Sequence, residues 1–320
     1  MTTRPTILVT RKLPAAVEAR ASREFNAILN PDDRLIGADL AKRAEGCDGL
    51  LICSSEKITP ELVKALPASV RAIATFSVGF EHIDLDACRA RGIKVSHTPE
   101  VLNEAVADIA MLLLLGASRR ASEGERMVRA GQWKGWYTTM LLGPQIGGKV
   151  LGIVGMGRIG RALARRARAF GMEIHYHNRS RLAAELEEGA TYHATAESLL
   201  AASPFLSLHC PSTPESRNFL DARRIAHMPD GAVVVNTARG DIVDDEALIA
   251  ALRSGKLFAA GLDVFAGEPN IHPGYAKLDN VFLLPHLGSA TVETRDAMGF
   301  CALDNLAAML GGRPAPNPLV

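Results

Sequence analysis

The run GMGRIG at residues 155–160 has the residue types and spacing that hold a dinucleotide pyrophosphate. It follows the apolar stretch Lys149–Val154 and opens a helical pattern that leads to a second apolar stretch, Glu173–His177. Gly155 permits a tight turn, Gly157 lets the backbone approach a phosphate, and Gly160 allows close packing of helix on strand. The amides at the helix start, those of Arg158 and Ile159, then face the phosphates. A glycine-rich turn in an ordinary βαβ unit is the competing reading, and the strand, helix and second strand around the motif weigh against it.

At the end of that second strand an NAD enzyme usually presents a carboxylate to the ribose 2′-hydroxyl. Here the position holds Asn178, followed by Arg179, Ser180 and Arg181. A guanidinium and a hydroxyl suit a 2′-phosphate instead, so NADPH is the expected cofactor, with NADH still usable. The plainer alternative is a solvated charged turn. His175 and His177 share one strand face, but no matching ligands stand near them in the sequence, so no metal site is expected.

Positioning these groups requires parallel strands joined by crossover helices. Short β-branched runs alternate with longer helical ones along the chain, which predicts an α/β protein. Early strands fall at Thr6–Val9, Gly49–Cys53, Ile73–Thr75 and Lys94–Ser96, with a helix over Ala15–Phe25. A second set comprises Lys149–Val154, Glu173–His177, Phe205–His209, Ala232–Asn236, Ala259–Asp263 and Val281–Leu284. Two sets predict two doubly wound, Rossmann-like parallel-sheet domains: residues 1–98 with 288–320, and the dinucleotide-binding domain 99–287. Pro99 is expected to open an interdomain helix whose run Val106–Leu115 is buried all round. Gly288–Gly311 reads as a helix returning to the first domain.

Composition removes other classes. With 36 Lys plus Arg against 35 Asp plus Glu, no basic surface for nucleic acid is expected. The longest apolar run, Ile109–Leu115, is far below the roughly 20 residues that span a bilayer, and the N-terminus lacks a signal-peptide layout, so a cytoplasmic protein is expected. Five scattered cysteines without a CxxC pair argue against a disulfide framework or a zinc site.

GMGRIG, HCPSTPESRNFL, VVVNTARGDIVDDEAL, GLDVFAGEP and LLPHLGSAT occur in that order. Together they resemble the D-isomer-specific 2-hydroxyacid dehydrogenases from SVGFEHID (77–84) onward, and the NRS segment resembles the glyoxylate/hydroxypyruvate reductase branch. The resemblance implies an active site in a cleft between the two domains and a catalytic set of Arg239, Glu268 and His286. Arg239 would bind a 2-keto acid's carboxylate through paired hydrogen bonds. His286 would exchange the proton at the carbonyl oxygen, with Glu268 favouring its charged form. Val78, Gly79 and Ser289 would join Arg239 in holding substrate, the first two through backbone amides. Cys210, Pro211, Thr237, Ala238, His286 and Gly288 would line the cofactor. Asp263 would hold the nicotinamide carboxamide, or alternatively cap the segment after it.

The segment GQWKGWYTTMLLGP is similar to a dimer arm in that branch, which implies a homodimer. Trp136 then reaches the partner's active site, or Trp133, Trp136 and Tyr137 are local packing anchors. The expected activity is NADPH-dependent reduction of glyoxylate or hydroxypyruvate to the D-2-hydroxy acid. A different D-2-hydroxy acid or a 2-ketogluconate-like sugar acid is the second reading. An NAD(P)-sensing co-repressor-like binding protein is the third.

Overall fold

A strand that is buried at every position, such as Ala232–Asn236, needs cover on both faces of its sheet, and parallel neighbours need long crossovers. The computed structural model, which describes residues 4–320, meets both demands in two separate units. One runs to Leu102 and takes in Ala290–Val320; the other is Asn103–Ser289.

The first unit holds β1 (Thr6–Val9), β2 (Asn26–Ile28), β3 (Gly49–Ile52), β4 (Ala72–Thr75) and β5 (Lys94–Ser96), all parallel, in the order β2-β1-β3-β4-β5. This is one of the two common doubly wound orders. Leu8, Leu50, Ile52, Ile73 and Val95 point to one face, where Leu40, Val63, Leu66 and Cys88 cover them. The C-terminal helix Val292–Leu310 packs on β3, β4 and β5 and against helix Ala15–Glu24.

The second unit holds β6 (Val150–Val154), β7 (Glu173–His177), β8 (Thr191–Tyr192), β9 (Phe205–Leu208), β10 (Ala232–Asn236), β11 (Leu257–Leu262) and β12 (Val281–Leu283). They are parallel in the order β12-β11-β10-β9-β6-β7-β8, the dinucleotide-binding order extended by one strand. Strand alternation sorts the core into two layers. Ala232 and Val234 join Leu199, Leu248 and Leu252 on one side, while Val233 and Val235 join Leu113, Leu163 and Ala167 on the other.

Several sequence expectations need correction. Strands β2 and β8 were not anticipated, because both are short and neither has a fully buried residue to produce an apolar run. Pro99 does not open a helix: Glu100 takes a left-handed φ of 73°, and the helix begins at Asn103. That helix belongs to the second unit, packed on β10, β11 and helix Arg158–Ala169. It is not buried all round, since Asp108 is exposed and Leu112 is 46% exposed. The side chains of Glu104 and Asp108 on its outer face pair with Arg165 and Arg166. The C-terminal helix starts at Val292, not Gly288, where the Thr291 side chain accepts from the Thr294 amide at 3.0 Å. No helix among the described residues is long and apolar enough to cross a membrane.

Candidate active site

In the second unit, the carboxyl end of β6 lies between β7, its successor in the chain, and β9, reached by a long crossover. Parallel α/β sheets bind ligands at such a switch point. Gly155 follows β6 with φ at 93°, and a Cβ there would lie 2.6 Å from the Cys210 amide nitrogen, so only glycine fits between the ends of β6 and β9. A Cβ on Gly160 would meet the Gly155 carbonyl oxygen at 2.5 Å, which keeps the helix close to the turn. A Cβ on Gly157 would meet nothing within 4 Å, leaving its side of the loop open to an approaching group. Helix Arg158–Ala169 has no side-chain cap at its N-terminus, so the amides of Arg158 and Ile159 suit an anion. The turn is therefore tightly closed at Gly155 and Gly160 and open at Gly157.

Asn178 has a use that the sequence did not reveal. Its Oδ1 accepts from the Met156 amide at 2.7 Å, bracing the glycine turn from the end of β7. Arg179 and Ser180, next in the chain, are exposed. Arg181 is committed elsewhere: its guanidinium donates to Glu187 at 2.8 and 3.0 Å, and the Tyr176 hydroxyl donates to the same carboxylate at 2.5 Å. The Arg181 hydrogen bonds and the Tyr176 hydroxyl hold the Glu187 carboxyl down to about 2. Of the basic pair, Arg179 is the residue available for a 2′-phosphate. His175 and His177 meet a third histidine, with 3.0 Å between His175 Nδ1 and His193 Nε2 and 2.9 Å between His177 Nδ1 and the His193 carbonyl. No group that could hold a metal ion is found among the described residues.

The proposed catalytic groups follow the ends of β10, β11 and β12. His286 Nδ1 lies 2.8 Å from Glu268 Oε2, and Glu268 Oε1 accepts from the Phe265 amide at 2.7 Å. Burial works to raise the Glu268 carboxyl. The bonds from His286 and the Phe265 amide, with the charges of His286 and Arg239, outweigh it and leave the carboxyl below its ordinary value. Arg239 is part-buried and its Nη1 donates to the Ala238 carbonyl at 2.7 Å. His286 takes a left-handed φ of 55° and its side chain is half exposed.

Asp263, 1% exposed, caps this loop: its two carboxylate oxygens accept from the Leu287 and Gly288 amides at 2.6 and 2.8 Å. The amides it caps lie 24 and 25 positions downstream, not in the segment that follows Asp263 directly. Burial pushes its carboxyl up despite these bonds. Thr237 is buried, Ala238 and Cys210 are half-buried, and Pro211 is exposed beyond the end of β9. Ser289 closes the second unit.

Val78 and Gly79 belong to the first unit, in the turn after β4. The Val78 carbonyl lies 2.9 Å from His97 Nδ1, and the Gly79 carbonyl accepts from Ser77 Oγ at 2.6 Å. Two residues of the second unit went unnoticed in the sequence. Asn236 is 1% exposed and bonds twice within the Arg239 turn. His209 lies between Ser207 Oγ at 2.8 Å and Thr237 Oγ1 at 3.5 Å, and burial pushes it down to about 4, so it is neutral at pH 7. For Asn236 the available signal was a polar residue ending the otherwise apolar run AVVV; His209 follows a strand that already holds Ser207 and offered no such signal.

Residues 111–288 match the family model described as the D-isomer specific 2-hydroxyacid dehydrogenase, NAD binding domain. The chain is 48% identical over 309 residues to a glycerate dehydrogenase of Hyphomicrobium methylovorum, covering 96% of each. It is 40% identical to a glyoxylate reductase of Thermococcus litoralis, covering 98% of this chain and 96% of that one. It also resembles a crystal structure of an NADPH-dependent glyoxylate/hydroxypyruvate reductase from Sinorhizobium meliloti in complex with NADP and malonate. That likeness has a TM-score of 0.87 at 35% identity and covers 99% of this chain and 97% of the other.

Glu187 supplies a pH test of the segment that carries Arg179. Its carboxyl is depressed in the folded state, so its stabilisation is fully present above the ordinary value of about 4.3 and is lost as pH falls toward 2. Glu187→Gln should therefore unfold at a lower temperature than the parent at pH 7, with the gap closing as the pH approaches 2. A gap independent of pH would contradict this ion pair.

Proposed function

The chain belongs to the D-isomer specific 2-hydroxyacid dehydrogenases, oxidoreductases that use NAD(P), and on that footing we propose that it reduces glyoxylate and hydroxypyruvate with NADPH preferred over NADH. The observation that carries the reaction is the 2.8 Å pair of His286 Nδ1 and Glu268 Oε2. With Nδ1 committed to the carboxylate, proton exchange falls to Nε2. A bound nicotinamide dinucleotide supplies the hydride that reaches C2 of the keto acid. The carbonyl oxygen gains the electron pair of the broken π bond, and His286 gives it a proton. In the oxidative direction the imidazole accepts that proton. Arg239 orients the acid by binding its carboxylate with two parallel donors and draws charge toward the neighbouring carbonyl oxygen.

The NADPH preference is supported by Asn178 at the position where NAD enzymes carry an acid, with Arg179 and Ser180 directly after it. The substrate class is supported by the relatives, since glycerate is the product of hydroxypyruvate reduction. Exposed Trp133, Trp136 and Tyr137, at 55, 75 and 59%, support a homodimer contact and count against local packing anchors. A cytoplasmic location is supported by the five free cysteines.

Purified protein offered glyoxylate, hydroxypyruvate and pyruvate should oxidise NADPH faster than NADH with the first two. His286→Ala should lose about 10²- to 10⁴-fold in turnover, the usual worth of a general acid. Arg179→Asp should lower the NADPH-to-NADH preference by about tenfold or more, the scale of one lost bond to a charged group. No turnover with any of the three acids, or an unchanged cofactor preference in Arg179→Asp, would defeat the corresponding part of the proposal.

A further inference from the structure

Asn236 ends β10 in a position where an apolar residue would satisfy the core equally well. It is 1% exposed, and the two preceding residues, Val234 and Val235, are wholly buried. A buried carboxamide costs free energy unless its donors and acceptor are used. Here both ends of the amide act on one three-residue turn. Nδ2 donates to the Arg239 carbonyl at 2.8 Å, and Oδ1 accepts from the Ala238 amide at 3.0 Å. The residue whose amide Oδ1 fixes, Ala238, is also the one whose carbonyl receives Arg239 Nη1 at 2.7 Å. A continuous path therefore runs from the carboxamide through Ala238 to the guanidinium.

The backbone of Asn236 extends the path in the other direction. Its carbonyl accepts from the Asp263 amide at 3.0 Å, and the Asp263 carbonyl accepts from the His286 amide at 2.9 Å. Three adjacent strand ends are thereby tied in sequence, one carrying Arg239 and another His286. Nothing in the proposed chemistry requires Asn236 to touch substrate.

We propose that Asn236 is a positioning residue, which sets the direction of the Arg239 guanidinium relative to His286 and so determines how tightly a 2-keto acid's carboxylate is held. This rests on the reaction proposed above. Asn236→Asp is the most informative variant. It keeps the shape and the acceptor toward Ala238, and it replaces the donor toward the Arg239 carbonyl with an oxygen that repels it. Protonation of the introduced carboxyl restores a donor, so the defect should shrink as pH falls. Asn236→Ala removes both bonds at every pH.

At pH 7.5 both variants should raise KM for hydroxypyruvate about ten- to a hundredfold, the cost of a misplaced binding group, while the dissociation constant for NADPH stays within about twofold. The ratio of the Asn236→Asp KM to the parent KM should fall toward one at pH 5, and that of Asn236→Ala should stay constant. A role confined to stability would lower the thermal midpoint of both variants and leave KM alone. That result overturns the proposal, as does a loss of NADPH affinity matching the loss for keto acid.

Calorimetric titration with malonate, a dicarboxylate that cannot be reduced, separates this inference from the assigned reaction. A parent that binds malonate without turning over hydroxypyruvate defeats the assigned reaction, and the malonate affinities of the variants then decide the positioning role. A parent that binds neither acid overturns both.

Discussion

His286 occupies a left-handed backbone conformation, which costs a residue with a Cβ about 1–3 kcal/mol unless its surroundings impose it. Asp263 imposes it. The Asp263 carbonyl takes the His286 amide, and the two carboxylate oxygens take the amides of the next two residues. These three bonds turn the chain sharply after β12 and set the point from which the imidazole projects. The rest of the arrangement depends on that constraint. Glu268 can meet Nδ1 at 2.8 Å only if the ring starts from a fixed place, and it is itself held by the Phe265 amide. Burial at Asp263 would be expensive for a carboxylate without partners, and the two amides offset part of that cost.

The sheet explains why such separate pieces of chain meet. All seven strands of the second unit run parallel, so every strand delivers its following loop to one edge. The glycine turn follows β6, Asn178 follows β7, Cys210 follows β9, and the three proposed catalytic groups follow β10, β11 and β12. The glycine turn shows how tightly that edge is built. Gly155 has no room for a Cβ beside the end of β9, whereas Gly157 has open space, and the difference matches one position that must fold closely and one that must leave access. Asn178 then links the turn to β7, and Arg181 with Glu187 anchors the segment on its far side.

Legibility in the sequence followed how local each determinant is. The GMGRIG loop was readable because a strand, three glycines and a helix start are consecutive, and Gly155 and Gly160 each answer a local steric demand. The parallel sheets were readable from apolar runs, except for β2 and β8, which bury too little to leave a pattern. Arg239, Glu268 and His286 were identified by resemblance of whole motifs; no spacing rule joins residues 29 and 18 positions apart. Asn236 and the capping role of Asp263 were harder still. Their meaning lies in hydrogen bonds to backbone amides and carbonyls that any sequence would offer. Pro99 misled because a favourable first-turn residue does not compel a helix when the next residue turns left-handed. Leu112 misled because its apolar side chain faces outward from an otherwise buried stretch.

In the reaction proposed above, this edge of the sheet directs a hydride to C2 of a 2-keto acid with a proton from His286. The most direct test supplies the protein with hydroxypyruvate and NADPH deuterated at the transferable C4 position, then determines the position and configuration of the label in the product. D-glycerate carrying deuterium on C2 is expected from the parent, and about 10²- to 10⁴-fold more slowly from His286→Ala. Deuterium retained on the cofactor, or an L product, would contradict it.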